Sequence, residues 1–151
     1  MYRDANLLKL AKGEKCLLQI SDDCMGDEGS TTVAAHSNLM EHGKGKALKA
    51  QDCFTVWSCH NCHSLFDQGG SFSKEEKRDI FYAALLRQIE EWRKIGVSPA
   101  LKPWKVEAAR NALEHLINLY REELKNGLVH TDLASCGHKY AHPALAKQII
   151  L

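Results

Sequence analysis

Apolar residues at Phe81, Leu85, Ile89 and Trp92 recur every three or four positions, the period that lines one face of a helix, and Ser73 with Glu76 ahead of them carries a capping-box signature. The spacing predicts a long helix that ends at Gly96. Beyond a turn through Ser98, Pro99 and Pro103, a second stripe runs through Val106, Ala109, Leu113, Leu116, Ile117, Tyr120 and Leu124, with Gly127 as its stop. Two such stripes joined by a short turn pack most simply on each other as a helical hairpin, with a dimer seam as the alternative. Nearer the start, residues 4 to 12 alternate as a short amphipathic helix that Gly13 is suited to cap. Between these helices the pattern shortens. Lys15 to Ile20 and Ser30 to His36 read as strands separated by a turn carrying Cys24, Gly26 and Gly29, and Asp52 to Trp57 as an extended, partly buried segment.

With 151 residues and 44% hydrophobic content, the chain has material for one domain with an ordinary core. No apolar run approaches membrane-spanning length, and Met1 to Asn6 lacks the apolar stretch of a signal peptide, so a cytoplasmic protein without membrane contact is expected. In a reducing compartment, six cysteines point to thiolates on metal rather than to disulfides. A net charge of +1 neither requires nor excludes a polyanionic partner, because local clustering decides that. One cluster exists: Lys44, Lys46 and Lys49 lie on a glycine-bearing loop able to approach a phosphate backbone. A solvated surface loop is the plainer reading of the same residues.

The densest chemistry lies between Cys59 and Asp67, where two thiols, two imidazoles and a carboxylate crowd together. Cys59 and Cys62 have the spacing of a zinc knuckle, in which a tight turn aims two sulfurs at one tetrahedral ion. Cys16 and Cys24, on either side of a short apolar run and a turn, complete a four-cysteine zinc site most economically. Cys53 is poorly spaced to join them and reads as a small buried residue. His60, between the knuckle cysteines, is expected to face solvent or backbone. His63 and Asp67 are four apart, so a helix starting there presents both on one face as ligands for a second, harder divalent ion; a helix cap and a surface residue is the alternative. In the tail, His130, Cys136, His138 and His142 match no ligand spacing that supports a further site.

A knuckle, a strand ending in histidine and a helix opening with metal ligands are the parts of a ββα-metal nuclease. His36 is then the candidate general base, since an imidazole titrates close to neutral pH. Asp52 could hold the other ring nitrogen, or serve only as a turn residue. Ala35-His36, Asp52 and Cys59-x-x-Cys62-His63-x-x-x-Asp67 resemble the HNH (His-Me finger) endonuclease pattern in its zinc-knuckled form. Ala11-Lys-Gly-Glu-Lys-Cys16, the Cys24-x-Gly26 turn, the glycine- and lysine-bearing loop and Asp52-x-x-x-Val-x-x-Cys59 extend this to a closer resemblance to the phage and prophage YbcO-like nucleases, and to a more distant one to the RecA-dependent nuclease Ref.

That resemblance spans roughly residues 5 to 96. It implies an α+β fold in which a zinc-stabilised ββα-metal, treble-clef-like core is followed by the long-helix hairpin. The chain then divides into a nuclease domain over 1–96 and a helical extension with its tail over 97–151. Cys16, Cys24, Cys59 and Cys62 would hold a structural zinc, while His36, His63 and Asp67 build an active site using Mg, Mn or another divalent ion. The implied activity is hydrolysis of DNA phosphodiesters in phage or prophage recombination or processing, with DNA, and a recombinase, as partners. Two departures stand out: Ala35 occupies a place where many members carry a metal-binding Asp or His, and Asp52 stands where the family's middle Asn belongs. The competing reading is a catalytically silent zinc module that binds nucleic acid or a recombination partner.

Overall fold

A computed structural model describes residues 1–68 and 70–125; the expected stop at Gly127 and the tail residues His130, Cys136, His138 and His142 lie outside the described residues. The elements are, in order, α1 (Ala5–Lys9), β1 (Val33–His36), a 3-10 turn (Met40–His42), β2 (Thr55–Ser58), α2 (His60–Gln68), α3 (Lys74–Gly96) and α4 (Pro103–Lys125). The mixed α/β architecture has a small sheet of two strands and two long helices.

Asp4 starts α1 by accepting the amides of Asn6 at 2.9 Å and Leu7 at 3.2 Å through Oδ1. The helix is shorter than the amphipathic pattern suggests. From Leu10 onward the amides turn to carbonyls three residues back, which tightens the chain until Gly13 reverses it at φ +81°.

The extended segment expected over 15–20 is not a strand. Leu17 donates to the Trp57 carbonyl at 2.8 Å, but Gln19 sits at φ +55° and breaks the extended path, and the guanidinium of Arg87 takes the Leu17 carbonyl at 2.9 Å. The segment lies against β2 without joining a ladder. The other two extended segments survive in shortened form, as β1 and β2. These pair antiparallel with Val33 opposite Ser58 and His36 opposite Thr55.

All four residues of β2 are buried, since α3 packs against it and Gln88 accepts the Trp57 amide at 2.8 Å. Ser73 and Glu76 close the expected capping box on α3, and Phe81, Leu85, Ile89 and Trp92 are all buried. α3 and α4 pack on each other, as the paired stripes require. The seam of α4 is shifted from the sequence pattern. Ala109, Leu116 and Tyr120 are buried, but Ala108 and Ala112 share the contact while Val106, Leu113 and Ile117 stay half-buried. Small residues let the helices approach closely, and a Cβ at Gly96 would stand only 3.3 Å from Arg110 Cγ. α4 also touches α1, and one continuous core runs from Leu7 to Tyr120.

Gly29 shows how tightly the loops before β1 are fitted. It sits at φ +79°, and a Cβ there would lie 2.6 Å from the Gly13 carbonyl oxygen. Gly29→Ala is expected to cost about 1–3 kcal/mol from backbone strain alone, with the clash adding to it. Urea unfolding should show a lower midpoint at unchanged slope, whereas Gly70→Ala, with open space at its Cβ, should match wild type. Equal midpoints for the two variants would contradict this packing.

Candidate metal and catalytic centre

Three backbone links gather the cysteines. The Cys16 amide donates to the Gly26 carbonyl at 2.9 Å, Leu17 ties to Trp57 just ahead of Cys59, and the Cys24 amide closes a turn on Ser21 at 3.0 Å. Cys59 directly follows β2, and its carbonyl accepts the His63 amide at 2.9 Å, so α2 begins with the knuckle and Cys62 falls in its first turn. Asn61 Nδ2 fastens α2 to the Cys24 loop through the Asp23 carbonyl at 2.8 Å.

The sulfurs of Cys16, Cys24, Cys59 and Cys62 consequently all lie within 4.8 Å of one another. Tetrahedral zinc at about 2.3 Å from each sulfur needs edges of about 3.8 Å, so the cluster fits an ion such as zinc with small adjustments. Its electrostatics agree. Burial pushes Cys62 up to about 12 and Cys24 upward, whereas burial at Cys59 is outweighed by donors including the Met25 and Cys62 amides, which pull it down to about 7. Thiols this close cannot all ionise unless a cation compensates them. Cys53 is fully buried and stands apart, its thiol pushed up by burial, and His60 is exposed.

The second constellation begins where β1 ends. His36 Nε2 lies 2.8 Å from Asp52 Oδ1, and Asp52 occupies the turn before β2, where its own carbonyl accepts the Thr55 hydroxyl at 2.8 Å. Asp52 also accepts Arg3 Nη1 at 3.1 Å and the Asp4 amide at 2.8 Å. Burial pushes its carboxyl up, but the bonds from His36, the Asp4 amide and Arg3 prevail and hold it below the usual range. An ionised Asp52 accepts the proton on Nε2 and so fixes the tautomer, leaving Nδ1 as the basic nitrogen. Among the described residues, Nδ1 of His36 makes no hydrogen bond.

The third lies on α2. His63 Nε2 and Asp67 Oδ2 are 2.9 Å apart, each about a third exposed at 34% and 39% of its side chain, so both remain reachable by an ion from solvent. They offer a nitrogen and an oxygen on one helix face. Asn38 joins this pair to the strand: two residues beyond His36, its Nδ2 donates to Asp67 Oδ1 at 2.9 Å. His36, His63 and Asp67 do not gather into a ligand-spaced cluster among the described residues. Lys46 and Lys49 are exposed and Lys44 is half-buried, and none of the three pairs with an acid among the described residues.

Three groups at the site carry no signal in the sequence pattern. Asn38 and Arg3 are ordinary loop residues until the fold brings them to carboxylates. His42, which opens the lysine loop, is fully buried, stacked 3.8 Å from Phe54 and bonded to Ser37 Oγ at 2.7 Å and Tyr82 Oη at 2.9 Å. Burial, with Arg78 nearby, holds it well below the usual histidine range, so it is neutral and pins the loop to α3.

A family model described as "Putative nuclease YbcO" matches residues 5–97, more than half of the chain. No curated protein and no solved structure matches.

Proposed function

The chain belongs to the YbcO nuclease family, and on that premise we propose that it is a metal-dependent endonuclease of the HNH type, hydrolysing DNA in phage or prophage recombination or processing. The observation that carries the catalytic reading is the His36–Asp52 pair, in which one ring nitrogen is held and the other is left for water. Asp52 orients the ring, and Nδ1 of His36 removes a proton from the attacking water. His63 and Asp67 would hold the catalytic ion, with Asn38 fixing the carboxylate. When bound, a divalent ion there supplies Lewis-acid stabilisation of the charge that develops on the phosphate. The Cys16, Cys24, Cys59 and Cys62 cluster would hold zinc as a structural clasp and leave no open position for chemistry. In this reading residues 1–96 are the nuclease unit, and the hairpin's second helix braces it.

Ala35 favours the competing reading, a silent nucleic-acid-binding zinc module, because this residue is buried at 4% exposure and offers no ligand beside the base. Cleavage decides between them. Purified protein is incubated with supercoiled plasmid, single-stranded DNA and an RNA of matching sequence, each with Mg, Mn or Ni and with EDTA as control. Ion-dependent nicking supports the endonuclease; inertness on every substrate sinks it.

Lys44, Lys46 and Lys49 are read as phosphate contacts. Replacing all three by alanine should flatten the slope of log affinity against log salt by about 2–3 on duplex DNA, at unchanged sequence preference. An unchanged slope would return the loop to plain solvated surface.

A further inference from the structure

The residues ahead of α1 converge on the same carboxylate as His36. Arg3 places Nη1 3.1 Å from Asp52 Oδ1 and 2.6 Å from the Ala50 carbonyl, while Nη2 donates to the Lys49 carbonyl at 2.7 Å. The Asp4 amide takes Asp52 Oδ2 at 2.8 Å, and the Tyr2 carbonyl accepts the Asp52 amide at 3.0 Å. Behind this segment stands α4. His115 Nε2 lies 3.0 Å from Gln51 Oε1, which also accepts the Tyr2 amide at 3.2 Å, and the His115 ring stacks on Tyr2 at 4.6 Å. Arg3 and His115 both lie outside the family-matched span of 5–97.

Arg3 Nη1 and His36 Nε2 thus share one oxygen of Asp52. A buried carboxylate facing an imidazole alone stabilises the imidazolium and keeps the base protonated. A guanidinium on the same oxygen cancels much of that charge, and it repels a second cation directly. The other titratable groups nearby are engaged differently. Asp4 caps α1 with Oδ1 and accepts the Tyr2 hydroxyl on Oδ2 at 3.3 Å; burial first, and Asp4 after it, hold the Tyr2 phenol neutral; Cys53 is a buried thiol; His115 is lowered by burial. On α2, His63 and Asp67 bond to each other and reach the strand through Asn38. Arg3 is the one permanent cation on Asp52 among the described residues.

We propose that Arg3 is a positioning residue that sets the proton affinity of His36 through their shared Asp52 oxygen, and that α4 keeps it there through His115, Gln51 and Tyr2. The proposal rests on the reading of His36 as the base. The two remaining hydrogen bonds of Arg3 run to the Ala50 and Lys49 carbonyls, so the substrate-facing loop and the base share one anchor.

The test is Arg3→Gln in the full chain, followed two ways. By NMR titration, the His36 imidazole should become more basic by about one pH unit, whether or not the protein cleaves anything. In the cleavage assay, the acid limb of kcat/KM should move up by the same amount, giving about a tenfold loss one unit below the wild-type midpoint and a high-pH plateau within about threefold of wild type. Arg3→Lys keeps the charge and should shift the limb less than half as far, and His115→Ala should shift it in the same direction. An unshifted His36 titration overturns the proposal, as does an equal loss of rate at every pH. Failure of the nuclease reading itself would look different: wild type and His36→Ala would be equally inactive while the NMR shift persisted.

Discussion

Replacing His36 by alanine is expected to lower the cleavage rate by about 10²–10⁴-fold, the range over which a positioned general base contributes. The loss should fall on kcat, because the imidazole meets the attacking water and not the ground-state phosphate contacts. The fold should survive, since the ring lies at the open end of β1 with 15% of its surface exposed and makes one hydrogen bond. Far-UV spectra, bound metal and duplex affinity at low salt should therefore match wild type. Asp52→Asn makes the complementary case. Asparagine can still accept from Nε2 but cannot stabilise an imidazolium, and it loses the charge that Arg3 answers. A smaller defect than in His36→Ala is expected, with a base that protonates only at lower pH. If His36→Ala cleaves as fast as wild type under conditions where EDTA stops both, the base must be sought elsewhere.

How far this site could be read from the sequence depended on the range of the interaction. Local patterns survived best. The Ser73 capping box, the Phe81-to-Trp92 stripe and the i,i+4 relation of His63 and Asp67 each follow from one helix, where spacing alone fixes neighbours. The four cysteines were legible for a different reason: soft ligands at knuckle spacing have few other uses, and folding has only to close one loop. The segment 15–20 misled because its apolar residues are buried by β2 and α3 without a ladder, and Arg87 comes from 69 and 70 residues away to take its carbonyls. Burial drives hydrophobic pattern in both cases, so pattern cannot separate a strand from a packed loop.

Polar contacts across long sequence separations were the least visible. Arg3 reaches Asp52 across 49 residues, Asn38 reaches Asp67 across 29, and His42 reaches Tyr82 across 40. Nothing in residue type marks any of the three as an organiser of the site. Their positions follow from the antiparallel register that sets His36 opposite Thr55, and from the chain beyond β1 passing close enough to α2 for Asn38 to meet Asp67. The His36–Asp52 contact lay between these extremes. The need of a base for a held ring nitrogen suggested the pair, but only the register decided that they touch.

Removing the ion from the cysteine cluster should have the largest effect on stability. The cluster ties together the turn after α1, the Cys24 loop, the end of β2 and the start of α2, while the sheet itself has only two strands and could not stand alone. A structural zinc contributes about 10–16 kcal/mol of apparent folding free energy, comparable with the roughly 5–15 kcal/mol that separates folded from unfolded in whole domains. Purified protein should carry about one tightly held ion per chain. A strong chelator should then melt the hairpin and α2, exposing Trp57, which is 2% exposed in the folded chain, and shifting its fluorescence to the red. Cys59→Ser should behave likewise, because the serine hydroxyl does not ionise to replace a thiolate. Acid should act as a chelator does: protons compete with the ion for sulfur, so stability falls as pH drops through metal release and is regained as it rises. Metal-free protein, or the Cys59→Ser variant, unfolding at the wild-type temperature would show that the four thiols are merely buried neighbours. The sheet end that carries His36 would then owe its shape to α3 and the Tyr82–His42 anchor instead.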